Sequence, residues 1–318
     1  MLITDFTHNH IAAARSLAKL NYDQEREIVP ALPPIDVLPD LTRFADYGLG
    51  VAAFDGDKLV GFLCSGSPRN NAFGSTDVKG VFSPLGANAA TLDNRAKIYA
   101  AMYQAAGDKW ALAGAASHAI CLYAHGIEAQ QQFFLYGFGL RCVDAIRSME
   151  AIDCRTCNDY SFAELTQSEF ASVFPLDQML NEHMRQSPTF MLRKADTQEE
   201  FLRTCREEQV RCFVAIQSKQ ICAFLKIADM GETFITPRRD TKHINGAFCL
   251  PEHRGKGVYQ NLLNFTISTL AAEGYTRLGV DFESFNPTAY GFWLKYFQAY
   301  THSVVRRIDE RVILAPAL

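Results

Sequence analysis

Short apolar runs and longer stretches of helical periodicity alternate along this chain, most legibly in its second half. Residues 213–216 and 221–228 are apolar runs separated by Gln-Ser-Lys-Gln, the pattern of a hairpin. Residues 243–250 read as a third strand, ended by Pro251. Val258, Leu262, Leu263, Ile267 and Leu270 then recur at helical spacing, which predicts a helix over 258–272 closed by Gly274. A fourth strand is expected over 278–282. Pro287 stands where a helix can start, 289–296 continues it, and 302–308 reads as a last strand. Strands and helices in alternation around a mixed sheet predict an α/β or α+β class.

At 318 residues the chain exceeds the ~250–300 at which a single hydrophobic core usually stops growing, so two domains are expected. An internal repeat agrees. Shifted by 159 residues, Asp5-Phe6-Thr7 falls on Glu164-Leu165-Thr166 and Ala12 on Ala171. In the same register Arg95 and Lys97 fall on Arg254 and Lys256, Phe133, Leu135 and Phe138 on Phe292, Leu294 and Phe297, and Arg147 on Arg306. The middle slips by a few residues, so that Val51-Ala52 answers to Val214-Ala215. The predicted domains are 1–153 and 158–318, joined through a polar, non-periodic segment near 151–160.

Composition narrows the classes. Lys plus Arg number 31 against 35 Asp plus Glu, a net charge of −4, which lacks the basic footprint of a nucleic-acid binder. No apolar run approaches the roughly 20 residues that cross a bilayer, and the first residues lack a basic leader, so no membrane partner and a cytoplasmic location are expected. Nine irregularly spaced cysteines read as reduced thiols. Cys154-Arg-Thr-Cys157 has neither a second pair nor nearby histidines, and no metal is expected.

The chemistry gathers in Cys249-Leu250-Pro251-Glu252-His253-Arg254-Gly255-Lys256-Gly257-Val258-Tyr259. A strand ends, two glycines let the backbone turn, and a helix begins with its orphan amides and positive dipole end. That combination binds phosphate or pyrophosphate, with Arg254 and Lys256 adding charge. Neither the P-loop nor the dinucleotide glycine spacing is present.

This loop, followed by Asn286-Pro-Thr-Ala289 and Phe292-Trp293, resembles the GNAT superfamily of acetyl-CoA-dependent N-acetyltransferases. The family's Gln/Arg-x-x-Gly-x-Gly/Ala signature is matched from Arg254 to Tyr259, where Tyr259 replaces a small residue. The resemblance covers about 210–310 directly and the first half through the repeat, so the whole resembles a tandem GNAT protein with a degenerate N-terminal copy. It implies acetyl-CoA as co-substrate, held in a cleft between two splayed parallel strands. Backbone groups of Phe248, Cys249 and Leu250 would meet the pantetheine arm. Amides of Arg254, Gly255, Lys256, Gly257, Val258 and Tyr259 would hold the pyrophosphate, and Asn286 would reach the pantetheine or thiol end.

The implied reaction is direct attack of an amine on the thioester, with a strand amide near Cys249 polarising the carbonyl. His243 lies where a general base is expected, on the parity of Asn245, Ala247 and Cys249, and Asp281 and Glu283 compete for the role. The family's tyrosine acid would fall on Trp293; Tyr290 is the nearest replacement and Tyr296 another. In the first half Ala96 and Ile98 replace both glycines, which predicts lost or weakened pyrophosphate binding. The alternatives are a non-catalytic acyl-CoA-binding protein and a phosphate-binding α/β protein of another class. The acceptor amine is not specified by these motifs.

Overall fold

The computed structural model describes residues 1–74 and 78–314. In chain order the first elements are β1 (Leu2–Asp5), α1 (Ile11–Ile28), α2 (Thr42–Tyr47), β2 (Val51–Asp55), β3 (Lys58–Leu63), β4 (Lys79–Ser83) and β5 (Asn88–Ala90). Next come α3 (Arg95–Leu112), β6 (Ala115–Tyr123), α4 (Ile127–Leu135), β7 (Gly139–Ser148) and β8 (Ser161–Leu165). After these the chain forms α5 (Phe174–Arg185), α6 (Gln198–Glu207), β9 (Arg211–Gln217), β10 (Gln220–Ala228) and β11 (Thr241–Cys249). It closes with α7 (Val258–Ala272), β12 (Arg277–Glu283), α8 (Pro287–Trp293), β13 (Gln298–Arg307) and α9 (Arg311–Leu314). Mixed sheets flanked by helices confirm the expected α/β class. The helix predicted over 258–272 has those bounds, and the strands predicted in the second half are β9 to β13, each starting one to four residues earlier, with β11 and β13 ending one residue short of the predicted bound.

Two compact units share the chain: Met1–Val143 with Ala299–Leu318, and Asp144–Gln298. In the first, β1, β2, β3 and β5 form a four-stranded antiparallel sheet. A separate ladder pairs β4 parallel with β6 and β6 antiparallel with β13. The last strand of the sequence thus belongs to the first unit rather than to the half in which it lies. In the second unit the sheet order is β12-β11-β10-β9-β8, antiparallel except between β12 and β11.

The two units share an element order: strand, helices, hairpin, a further strand (split in the first unit), helix, strand, helix. Thr7 and Thr166, one on the other in the repeat register, each open a 3-10 turn with a capping box. The repeats diverge at one element. β11 is continuous and pairs along both edges, whereas its counterpart in the first unit is split at Pro84 into β4 and β5. Proline cannot donate to a ladder, so the split falls where it must.

Each core follows from the apolar stripes. Met102, Tyr103, Ala106 and Trp110 of α3 pack with Ile120 of β6, Phe133 of α4 and Val304 of β13. Leu176 of α5 and Phe201 and Cys205 of α6 cover Val214, Phe224 and Phe248 on one face of the second sheet. Each such large side chain contributes roughly 1.5–3 kcal/mol when fully buried. All nine cysteines are free thiols.

Among the buried polar groups of the first unit is His118. Its Nε2–H donates to the Ala115 carbonyl (3.0 Å) and its Nδ1 accepts from the Tyr103 hydroxyl (2.9 Å). Both nitrogens are satisfied only in the neutral ring, and burial lowers its pKa to about 4. A folded pKa below the unfolded value means that the unfolded chain binds the extra proton first. Stability is therefore retained above the unfolded value near 6.5 and lost as pH falls toward 4, by on the order of 3 kcal/mol. Urea midpoints measured from pH 7 to pH 4.5 should fall in the natural chain, and His118→Phe should flatten that slope while lowering stability at pH 7.

Candidate functional site

β11 and β12 pair in parallel from Thr241↔Arg277 to Ile244↔Val280, and the pairing then stops although both strands continue. The cause lies on the opposite edge of β11. There Ala228 faces His243, Ile227 faces Ile244, and Lys226 faces Gly246, which leaves Asn245 as an extra residue. A bulge of this kind bends its strand and sharpens the twist. It falls directly after the last β11–β12 pair, so the strands splay and 245–249 keeps one open edge.

The bulge also reverses the expected parity. Cross-strand neighbours share a face, and Ala228, Lys226 and Phe224 lie together on β10. His243 therefore shares its face with Gly246 and Phe248, not with Ala247 and Cys249. Of the three predicted backbone partners for pantetheine, the Leu250 amide donates to Cys222 of β10 (2.9 Å). Backbone groups alternate along a strand, so Phe248 also points to β10 and Cys249 points into the splay. The Cys249 carbonyl there accepts from Arg254 Nε (2.9 Å).

The loop after β11 has the predicted form. Gly255 (φ 72°) and Gly257 (φ 79°) adopt left-handed backbone, and Gly257 caps α7. Among the described residues, no amide from Gly255 to Gln260 donates to a backbone carbonyl, as the first turn of a helix requires. Two side chains missed in the sequence brace the turn. The Cys157 thiol donates to the Lys256 carbonyl (3.1 Å), and Asn261 Nδ2 to that of Gly257 (2.9 Å). The Tyr259 hydroxyl donates to the Phe224 carbonyl (3.0 Å) and its ring packs edge-on against Phe292 and Trp293.

A cleft of about 570 Å³ follows this loop, lined by Phe248, Cys249, Arg254, Gly255, Gly257, Val258, Tyr259 and Asn286. His183, His253 and Lys295 add to Arg254 on its walls, and none of its described lining residues is Asp or Glu. Leu250 and Lys256 fall outside it. A second cavity of about 830 Å³ shares Leu180, Ala247, Asn286, Ala289 and Trp293 with the first. It is lined by His243, Asp281 and Glu283, and carries carboxylates where the cleft carries cations.

His243 and Asp281, rivals in the sequence, are partners in the fold: Nε2 lies 2.8 Å from Asp281 Oδ1. His243 is 1% exposed, whereas the Asp281 side chain is 30% exposed. Asp281 is thus the member of the pair open to the cavity. His243 Nδ1 is buried with no partner among the described residues. The ring is gripped between Gly231 and Gly279, whose added Cβ atoms would stand 2.4 and 2.6 Å from it. Asn286 caps α8, accepting from the Ala289 amide (3.4 Å) and the Thr288 hydroxyl (2.7 Å), and its Nδ2 lies 3.4 Å from Met184 Sδ. Tyr290, the predicted acid, lines neither cavity; its ring packs on Phe282. Tyr296 receives a hydrogen bond from Gln260 Nε2 (2.5 Å) instead. The Cys249 thiol is pushed up to about 12 by burial, too high to serve as a nucleophilic thiolate near neutrality.

The acetyltransferase (GNAT) family model matches residues 176–297, which hold the splay, the glycine loop and both cavities. The matched segment lies within the second unit. Over the whole chain the fold is similar to a GCN5-related N-acetyltransferase from Sphaerobacter thermophilus, with a TM-score of 0.57 and 10% identity, covering 97% of this chain and 96% of that one. It is also similar to the glucosamine N-acetyltransferase region of a fungal multi-domain β-N-acetylglucosaminidase (TM-score 0.50, 13% identity), covering 96% of this chain and 38% of that one. No protein of curated function matches the sequence. No described helix is long and apolar enough to cross a membrane.

The grip on His243 is testable. Gly279→Ala should lower stability by roughly 1–3 kcal/mol, the usual range for overpacking. In a His243→Ala background the same change should cost little. Thermal melts of the two pairs check this, and an equal loss in both backgrounds would show that the ring is not what the glycine accommodates.

Proposed function

We propose that the chain is an acetyl-CoA-dependent N-acetyltransferase whose active site lies in the second unit. The observation that carries this reading is the splay at Ile244↔Val280, flanked by a carboxylate-free cleft and by a carboxylate-bearing cavity. The cleft fits acetyl-CoA: amides of Gly255 to Tyr259 would meet the pyrophosphate, with Arg254 and Lys295 supplying charge. The Cys249 N–H, aimed into the splay, would extend the sheet toward the pantetheine arm or donate to the thioester oxygen. The co-substrate supplies an acetyl group on a thiol that leaves well.

Within that frame each residue has one task. Asp281 takes a proton from the ammonium at the cavity wall, and His243 is a positioning residue whose Nε2–H fixes the carboxylate. The Cys249 amide would stabilise the charge that grows on the carbonyl oxygen. With Tyr290 and Tyr296 outside both cavities, no tyrosine acid is needed, since a thiol of pKa near ~8.5 departs as thiolate. Direct transfer is favoured over a covalent enzyme intermediate because the Cys249 thiol stays protonated.

We read the first unit as the degenerate copy. The space beyond the last β4–β6 pair, Ser83↔Ile120, is bridged from within: Asn88 Nδ2 donates to Ser83 Oγ and the Cys121 carbonyl (3.1 Å each), and Asn88 Oδ1 accepts from the Tyr99 hydroxyl (2.9 Å). Arg95 turns inward to Gln24 and the Ala90 carbonyl (3.1 Å each), and Ile98 is buried in the core.

Calorimetric titration with acetyl-CoA should show one site, and absence of binding would remove the reading. Gly257→Val should weaken that binding at least tenfold, because it forces a branched residue to φ 79° beside Cys157. Asp281→Asn should lower kcat in a thiol-release assay by about 10²–10⁴ while leaving acetyl-CoA affinity unchanged. Binding without thiol release across a broad amine panel would favour the non-catalytic alternative.

A further inference from the structure

Residues 152–160, between β7 and β8, take no part in the proposed reaction, yet they strap the glycine loop and the helix after it. The Ile152 amide donates to Asn264 Oδ1 (2.7 Å) and the Arg155 carbonyl accepts from Asn261 Nδ2 (2.9 Å), both on the first turns of α7. The Tyr160 hydroxyl lies 2.9 Å from His253 Nδ1, one residue before Arg254. Between these ties the Cys157 thiol donates to the Lys256 carbonyl (3.1 Å), and Asn261 Nδ2 lies 3.4 Å from the same sulfur. Two of the contacts pass through one sulfur.

That sulfur has a neighbour of its own kind. Cys154 stands three residues earlier, the spacing at which two cysteines close a small disulfide ring. Of the nine free thiols six are buried, and Cys154 and Cys157 are two of the three that solvent reaches. Burial holds the Cys154 thiol above the usual range and Cys157 adds to the effect, so the two sulfurs lie within reach of each other's charge. Residues 151–157 belong to no helix or strand, and drawing the sulfurs together breaks no element of the fold.

From these contacts we propose that Cys154 and Cys157 form a thiol–disulfide modification site whose oxidation unclasps the glycine loop. The co-reactant is a low-molecular-weight disulfide. One protein thiolate attacks it, forming a mixed disulfide and releasing one small thiol. The other protein thiolate then attacks the protein-side sulfur, forming the Cys154–Cys157 bond and releasing the second small thiol. Two electrons pass from the pair to the small disulfide, and the two thiol protons end on the released thiols. The effect on the loop does not depend on the geometry of the ring, because a disulfide sulfur carries no hydrogen. The Lys256 carbonyl loses its donor, and Gly257, in left-handed backbone beside it (φ 79°), loses a brace. Resting on the acetyl-transfer reading, oxidation then costs acetyl-CoA affinity, since the amides of this turn would hold the pyrophosphate.

The test equilibrates the full chain with oxidised or reduced glutathione, removes it, and maps the cysteines by alkylation and mass spectrometry. The oxidised chain should carry an internal Cys154–Cys157 bond that dithiothreitol reverses. Hydrogen exchange should quicken about threefold over 261–264, the first hydrogen-bonded amides of α7. Acetyl-CoA should bind about fivefold more weakly by calorimetry until the bond is reduced. Cys157→Ser should abolish the response of both readouts to the oxidant. A response that persists in that variant would place the sensitive thiol elsewhere and overturn the proposal. So would an oxidised chain in which both cysteines remain open to alkylation, or an internal bond that leaves exchange and affinity unchanged. Exchange that follows the internal bond, with no acetyl-CoA bound in either state, would leave the modification site standing and remove the acetyl-transfer reading instead.

Discussion

Backbone hydrogen bonds between β11 and β12 stop at Ile244↔Val280, and strands that part in this way must satisfy the freed N–H and C=O groups by some other means. In the second unit the edge of 245–249 is left open. In the first unit the chain supplies its own solution. Asn88 bridges from Ser83 to the carbonyl of Cys121, and Tyr99 completes the network. The same topological problem thus has an open answer in one unit and a closed one in the other. The difference traces to whether the strand is bulged at Asn245 or broken at Pro84.

Electrostatics divide the open site. The orphan amides before α7, with Arg254 and Lys295, give one side positive charge, while Asp281 and Glu283 give the other negative charge. On the proposed reading the separation has a physical reason, because carboxylates beside a pyrophosphate would repel it and cations beside an ammonium would discourage its approach. Ala247, Asn286, Ala289 and Trp293 form the shared wall, largely apolar, where little charge of either sign is exposed. Cys249 lines the cleft as a protonated thiol, because burial disfavours its thiolate.

Local signals were legible where chemistry and backbone conformation coincide in consecutive residues. Gly255 and Gly257 announced left-handed backbone and a helix start, and both have it. The stripe from Val258 to Leu270 fixed a helix to the residue. Misreadings occurred where a neighbouring strand intervenes. Simple alternation from His243 put Cys249 on its face, but one extra residue at Asn245 moves it to the other, and no pattern in 241–249 marks that insertion. Tyr290 had helical spacing to the asparagine, yet its ring settles on Phe282, away from both cavities.

What the sequence determined by itself is the set of elements, the glycine loop with its positive end, and the repeated order of strands and helices, because these depend on local propensity and periodicity. Only the tertiary structure decided that His243 and Asp281 are partners rather than rivals, that Cys157 braces a loop ninety-nine residues away, and that β13 pairs with β6. These are contacts between segments far apart in the chain. Their geometry depends on a bulge, a strand order and the absence of two side chains at Gly231 and Gly279, none of which leaves a periodic trace in the residues themselves.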